Sequence, residues 1–167
     1  RKFELAAWMV YEIGKSWPEA DGDVAEAIDF CEFYAHEALK FAKPQACLPW
    51  PGETNELHYI PLGVGVIIPP WNFPLAIPTG MMAVAVVAGN TVILKPAEPS
   101  PWIAWKMCEL FWGLGLPPGV LNFVSGPGRT TGAHMVAHPQ TRFIAFTGSR
   151  EVGINIFEQA SKVPTGQ

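Results

Sequence analysis

The feature that most constrains the fold is an alternation of apolar β-like segments with helix-like segments. Each β-like segment ends in a turn rich in Pro, Gly, Asn or Ser and leads into a helix-like segment. Strands without a polar face are typical of a buried parallel sheet, so the pattern predicts an α/β fold with right-handed crossovers. The predicted strands are residues 63–68, 91–94, 119–124 and 142–146.

Two predicted helices precede this alternation. Apolar residues at helical spacing predict a helix over 1–16, with Gly14 near its end, and a second helix over 23–42. Asp23 followed by Glu26 resembles a capping box for the second helix. We therefore expect a parallel, Rossmann-like sheet of β-α units preceded by an N-terminal helical pair.

The stretch between the helices and the alternation has several prolines and no periodicity, which predicts a connection. The expected organisation is a helical lead-in, a linker and an α/β domain, over 1–43, 44–57 and 58–167.

Composition excludes several classes of function. Charged residues make up 16% of the chain and hydrophobic residues 49%, whereas a globular domain has about 25% charged residues. Part of so apolar a surface is expected to be buried against something else. The net charge of -4, with scattered Lys and Arg, argues against a nucleic-acid partner. The apolar run at 81–88 is too short for a bilayer span, so no membrane partner is expected.

Cysteines and histidines are too few and too dispersed for a disulfide framework or a metal site. We expect a reducing, cytoplasmic location. Because the sequence begins without Met and without a signal peptide, we expect it to start inside a longer chain. The dispersed cysteines and histidines are Cys31, Cys47, Cys108, His36, His58, His134 and His138.

Two turns have the form of phosphate-binding loops. Residues 126–132 read G-x-G-x-x-x-G between a strand and a helix, where free amides can meet a phosphate; a simple glycine turn is equally compatible. Ser149, after Gly148, can share the amides of the next helix with a pyrophosphate, although capping alone is the commoner role of such a serine.

Two further turns carry polar side chains suited to binding or catalysis. Lys95 and Glu98 follow the second strand, where such residues can hold ribose hydroxyls; a surface ion pair is the alternative. Asn72 lies between two prolines and two aromatic residues. Its amide could serve an oxyanion site, or it could be an ordinary turn asparagine.

Taken in order, five motifs resemble the coenzyme domain of the NAD(P)-dependent aldehyde dehydrogenase superfamily. The resemblance implies an oxidoreductase with a small-molecule aldehyde substrate, NAD as cofactor with NADP as the alternative, and homo-oligomers at full length. The helical lead-in is similar to the branch that oxidises L-glutamate γ-semialdehyde, with a sister semialdehyde dehydrogenase as the alternative. The five motifs are residues 70–74, 89–98, 116–124, 126–132 and 146–149.

The resemblance also implies roles for individual residues. Asn72 would supply the side-chain half of the oxyanion hole, and Phe73 would border the aldehyde tunnel. Glu98 would favour NAD, because a carboxylate repels a 2′-phosphate. The cofactor would contact Ile68, Pro70, Trp71, Lys95, Glu98, Gly128, Gly148 and Ser149, with the glycine segment ranked below Lys95 and Ser149.

The family's nucleophilic cysteine and general-base glutamate come in downstream motifs that this sequence lacks. We therefore expect about a third of a parent enzyme, inactive alone. A non-catalytic dinucleotide-binding module and an interaction protein that pairs through an open sheet edge are the alternatives.

Overall fold

Two helices lead into the sheet in the computed structural model, which describes residues 1–164. Helix α1 spans Lys2–Ile13 and ends at Gly14, whose φ of 72° is the left-handed conformation that glycine adopts readily. Helix α2 spans Trp17–Phe41. Both predicted helices are confirmed, but α2 starts earlier than expected.

The start of α2 corrects the predicted capping box. The Ser16 hydroxyl accepts from the Glu19 N–H, and the Glu19 carboxylate accepts from the Ser16 N–H. This S-x-x-E pair, with Pro18 in the first turn, begins the helix upstream. The box expected at Asp23 and Glu26 is therefore wrong, and Asp23 has a different partner.

The predicted linker contains a short β-ribbon. Strands β1 (Gln45–Ala46) and β2 (Glu56–Leu57) pair in antiparallel register. The predicted boundaries of the lead-in, linker and α/β domain stay a prediction, and residues 165–167 of that domain lie outside the described residues.

A four-stranded parallel sheet follows, in the order β5-β4-β3-β6. This arrangement confirms the predicted parallel α/β fold. From β3 the chain adds β4 and then β5 on one side, and it then places β6 on the other side of β3. The sheet therefore has a switch point between β3 and β6. The strands are β3 (Val64–Ile68), β4 (Thr91–Leu94), β5 (Leu121–Phe123) and β6 (Thr141–Phe146).

A helix follows each strand of the parallel sheet, as the sequence predicted, with small shifts at the helix ends. A π-helical turn, Gly128–Gly132, precedes the third of them. The helices are α3 (Ala76–Val87), α4 (Pro101–Gly113), α5 (Ala133–Val136) and α6 (Arg150–Ala160).

The lead-in helices share one hydrophobic core with the α/β part, because α2 packs on α3 and α1 packs on α4. The stripe predicted on α2 is only partly buried. Val24 and Ala27 are buried, whereas Ile28 is 52% exposed. Farther along the helix, Cys31 and Tyr34 are half-buried.

Two carboxylates of the lead-in cap helices of the α/β part. Asp23, 1% exposed, accepts from the Ala76 N–H at 2.7 Å, at the start of α3. Glu12 accepts from the Trp102 and Ile103 N–H groups at 2.7 and 2.9 Å, at the start of α4. Ser100 occupies the predicted N-cap position of α4, but its side chain makes no capping bond.

Candidate functional site

A cleft of about 520 Å³ lies at the switch point of the sheet. Clefts outside the carboxyl ends of strands at such a point are the usual ligand sites of open α/β sheets. Among the predicted site residues, the cleft brings together Ile68, Lys95 and Gly128. Its other walls come from the turn before α5, from α5 and from α6: Arg129, Gly132, Ala133, Val136, Glu151, Val152, Asn155, Ile156 and Gln159.

Lys95 supplies a buried cation to this cleft. The residue is 3% exposed, and its Nζ donates to the Pro96 carbonyl at 2.9 Å. Burial lowers the pKa of Lys95 because the charged form loses hydration, while nearby Glu98 opposes the shift. An ammonium with one carbonyl partner retains donors for a ligand.

Glu98, three residues after Lys95, lines a separate pocket of about 220 Å³ between the turns after β4 and β5. Its side chain is exposed, and Oε1 accepts from the Gly128 N–H at 3.0 Å. Among the described residues, Lys95 and Glu98 do not form the surface ion pair that the sequence left open. The glutamate instead joins the turn after β4 to the turn after β5.

The glycine segment serves packing as well as the cleft. A Cβ at Gly132 would lie 3.4 Å from the Lys95 Cε, so this glycine leaves room for the lysine chain. Gly126 has a φ of 152°, and a Cβ there would come within 2.3 Å of the Thr131 Oγ1. The segment is thus a tight turn that also forms one wall of the cleft.

Ser149 caps α6, since its hydroxyl accepts from the Val152 N–H at 3.3 Å. Gly148 before it has no room for a side chain, because a Cβ would come within 2.6 Å of the Phe146 ring. Both residues lead into α6, whose next residues line the cleft. Capping is therefore present, and a pyrophosphate contact stays a prediction.

The loop after β3 places the predicted oxyanion residue in the open. Asn72 is exposed, and its amide makes no hydrogen bond within residues 1–164. Trp71 is 54% exposed, Phe73 is 42% exposed and Pro70 is half-buried. The Lys15 ammonium lies 4.2 Å from the centre of the Phe73 ring, within range of a cation–π interaction.

The Aldehyde dehydrogenase family matches this chain over residues 1–165. The chain belongs to the aldehyde dehydrogenase family. The 1-pyrroline-5-carboxylate dehydrogenase of Geobacillus thermodenitrificans (strain NG80-2) is 55% identical over 167 residues, which are 100% of this chain and 32% of that protein. The protein of the same name from Bacillus mycoides (strain KBAB4) is 56% identical over the same shares. The chain thus spans about a third of the length of the curated relatives it matches.

Solved structures agree with this family assignment. A 1-pyrroline-5-carboxylate dehydrogenase from Thermus with bound NAD has a TM-score of 0.96 and 55% identity, covering 100% of this chain and 33% of that one. Proline utilization A (PutA) from Bdellovibrio bacteriovorus has a TM-score of 0.95 and 48% identity, covering 99% of this chain and 17% of that one.

One polar face of the cleft in this aldehyde dehydrogenase chain was missed by the sequence reasoning. Glu151, Asn155 and Gln159 line the cleft from α6. Their spacing of four residues puts them on one helix face, directly after Ser149. That periodicity could have identified them as one polar face of a helix. The orientation of this face toward the cleft depends on the strand order, which the sequence does not give.

None of the three cysteines in this aldehyde dehydrogenase chain lines the cleft. Burial raises the pKa of Cys108 to about 12 and also raises the pKa of Cys31, to which Glu32 adds. Cys47 is exposed and lies outside the cleft.

Across the described residues, no three His, Cys, Asp or Glu side chains come together to hold a metal ion. Within residues 1–164, no helix is both long and apolar enough to cross a bilayer.

Proposed function

We propose that this chain forms the cofactor-binding part of an NAD-dependent 1-pyrroline-5-carboxylate dehydrogenase, which oxidises L-glutamate γ-semialdehyde to L-glutamate. The observation that carries the proposal is the cleft at the switch point, where Ile68, Lys95 and Gly128 converge. The names of the similar proteins and the NAD-bound Thermus structure support the substrate and the cofactor. A homo-oligomeric, cytoplasmic enzyme at full length is part of the same proposal.

The cleft fits a dinucleotide in volume and in chemistry. Ligand sites are typically about 300–1,000 Å³ with a few polar groups. The Lys95 ammonium donates and the Glu98 carboxylate accepts, which suits the vicinal hydroxyls of the adenosine ribose. Ile68, Pro70 and Trp71 give apolar contact, and the turns at Gly128, Gly148 and Ser149 border the phosphates. When bound, NAD supplies the hydride acceptor.

The loop after β3 would serve the aldehyde. In the proposed reaction the Asn72 amide donates a hydrogen bond to the oxygen that gains negative charge, a contact whose loss costs about 3–4 kcal/mol in comparable enzymes. Its side-chain amide has no partner within the described residues, so this donor is free to do so. Phe73 borders the path of the substrate, and Lys15 and Asp23 hold the loop and the start of α3.

NAD binding tests the cofactor part of the proposal. Tryptophan fluorescence of the 167-residue chain is expected to be quenched saturably by NAD, and Lys95→Ala or Glu98→Ala is expected to weaken binding by about tenfold, as for loss of a charge-assisted bond. Lys43→Ala is the control, since Lys43 is exposed and outside the cleft. Unsaturable quenching, or equal losses in all three variants, contradicts the proposal.

Turnover tests the catalytic part. We expect the 167-residue chain to produce no NADH from L-glutamate γ-semialdehyde, because none of its cysteines lines the cleft. A non-catalytic dinucleotide-binding module is the second candidate, favoured by the cofactor-side residues retained in the cleft. Joined to the catalytic portion of a 1-pyrroline-5-carboxylate dehydrogenase, the chain should support turnover; binding without turnover in that fusion favours the module. NADH formation by the chain alone contradicts the expectation.

A further inference from the structure

The loop between β3 and α3 is held by an ion pair from the lead-in helices. The Lys15 ammonium lies 4.2 Å from the centre of the Phe73 ring and pairs with the Asp23 carboxylate at 2.5 Å. The other carboxylate oxygen accepts from the Ala76 N–H at 2.7 Å. We propose that Lys15 and Asp23 are positioning residues for catalysis: they fix the loop so that the Asn72 amide meets the oxygen that gains charge. The inference rests on the proposed function.

The position of Lys15 is set by the ends of two helices. Gly14, in the left-handed conformation, ends α1 and Ser16 caps α2, so Lys15 lies between two fixed helix ends. The Lys15 side chain is 11% exposed and the Asp23 side chain is 0% exposed. Separating a buried pair leaves a charge without its partner, which is strongly unfavourable. The ammonium therefore stays where the Phe73 ring can lie over it.

The Lys15–Asp23 pair holds the loop at two points downstream of Asn72. Leu75, the N-cap residue of α3, makes no side-chain capping bond, and the Asp23 carboxylate accepts from the following N–H instead. Closer to the asparagine, the Phe73 ring lies over the Lys15 ammonium. Asn72 itself is exposed, so its place depends on these neighbours.

An oxyanion donor depends strongly on its position. Such a donor must lie about 2.7–3.1 Å from the place that the charged oxygen will occupy, and a displacement of about 1 Å can cost about a hundredfold in rate. A loop that is fixed before the substrate arrives also loses less conformational entropy on binding. Loss of the Lys15–Asp23 pair should therefore slow the chemical step more than it weakens cofactor binding.

The experiment uses the chain joined to the catalytic portion of a 1-pyrroline-5-carboxylate dehydrogenase, with L-glutamate γ-semialdehyde and NAD. Lys15→Met keeps the aliphatic stem and removes the ammonium. It is expected to lower kcat about 10- to 100-fold while the Kd of NAD changes less than about threefold. Lys15→Arg keeps a cation for the carboxylate and for the ring, and it should retain most of kcat. Lys2→Met is the control, because the Lys2–Asp21 pair also joins α1 to α2 but is 43% and 47% exposed.

A double-mutant cycle distinguishes positioning from a loss of stability. If Lys15 acts through Asn72, Lys15→Met should change kcat less than about threefold in an enzyme that already has Asn72→Ala. A loss of folded protein would instead lower kcat by the same factor in both backgrounds, and equal factors overturn the inference. If Lys15→Met does not fold, Asp23→Asn replaces it in the cycle, since its amide oxygen still accepts from the Ala76 N–H but the negative charge is lost.

The outcomes separate this inference from the proposed function. If the joined enzyme with the original sequence forms no NADH, the proposed function fails and the inference fails with it. If it turns over and Lys15→Met keeps kcat, only the inference is overturned. The 167-residue chain gives a check without substrate: the Lys15 ε-methylene protons near the Phe73 ring should resonate upfield of their usual position, and Phe73→Leu should remove the shift. Unshifted protons overturn the proposed positioning.

Discussion

At the scale of single residues, burial decides what the ionisable side chains of this aldehyde dehydrogenase chain can do. Lys95 and Cys108 are both inside the protein, at 3% and 0% exposure. Burial disfavours the charged form in each case, so it lowers the pKa of the lysine and raises the pKa of the thiol. Lys95 borders a cleft, whereas Cys108 faces the hydrophobic core, which makes only the lysine a candidate for binding.

Cys108 is expected to make stability fall at alkaline pH. The pKa of its thiol rises from 9.0 to about 12 on folding, so above pH 9 the unfolded chain releases a proton that the folded chain keeps. The contribution of this group to the free energy of unfolding then falls by up to about 1.4 kcal/mol per pH unit. Below pH 9 the thiol is protonated in both states, so the group's stabilising contribution is fully present.

Urea unfolding of the original chain and of Cys108→Ala checks this effect. The stability advantage of the original chain should shrink by about 1 kcal/mol between roughly pH 9 and pH 10. Taking the difference cancels the other titrating groups, including Lys95, whose lowered pKa makes its own contribution rise with pH. A difference independent of pH would refute the assignment.

At the scale of elements, the lead-in helices are attached to the α/β part by carboxylates as well as by apolar packing. Asp23 and Glu12 satisfy N–H groups that start α3 and α4, and a helix N-terminus favours negative charge. Asp23 also pairs with Lys15 at 2.5 Å, with side chains 0% and 11% exposed. These contacts fix where the loop carrying Asn72 enters its helix.

Asp23→Ala is expected to lower the free energy of unfolding by about 3 kcal/mol, because it leaves the half-buried Lys15 ammonium and a helix N–H without their partner. Asp21→Ala is the matched control on the same helix: Asp21 pairs with Lys2 at 2.8 Å, but its side chain is 47% exposed, so the expected cost is below about 1 kcal/mol. Urea denaturation measures both. Similar losses in the two variants would mean that the buried contacts add little.

At the scale of the whole molecule, β6 is an open edge. Within residues 1–164 no strand pairs with its outer side, and beside it an apolar groove of about 430 Å³ runs between β6 and α6. Exposed edges with apolar surroundings pair readily with other chains. In full-length relatives three times as long, further chain is available to cover such an edge.

The 167-residue chain is therefore expected to self-associate through this edge as its concentration rises. Phe157, 74% exposed and part of the groove, should be central, so Phe157→Lys should shift the protein toward monomer. Phe3→Lys is the control, because Phe3 is equally exposed, at 76%, but lies on α1. Size-exclusion chromatography over a concentration series measures this, and a monomer at all concentrations argues against it.

Local sequence patterns predict a large part of this structure. Apolar strands closed by turn residues predict the four strands and the helices between them, because period and punctuation are local properties. The order of the motifs identifies the family. Lys95 and Gly128 line one cleft, since parallel strands bring their carboxyl ends together.

Only the tertiary structure decided which partners the polar side chains take. The pattern around Asp23 suited a capping box on its own helix, yet the carboxylate caps α3, 53 residues away. Lys95 and Glu98 are close enough in sequence to pair, yet each takes a backbone partner. Side-chain partners depend on burial and on the packing of distant segments, and a sequence pattern contains neither.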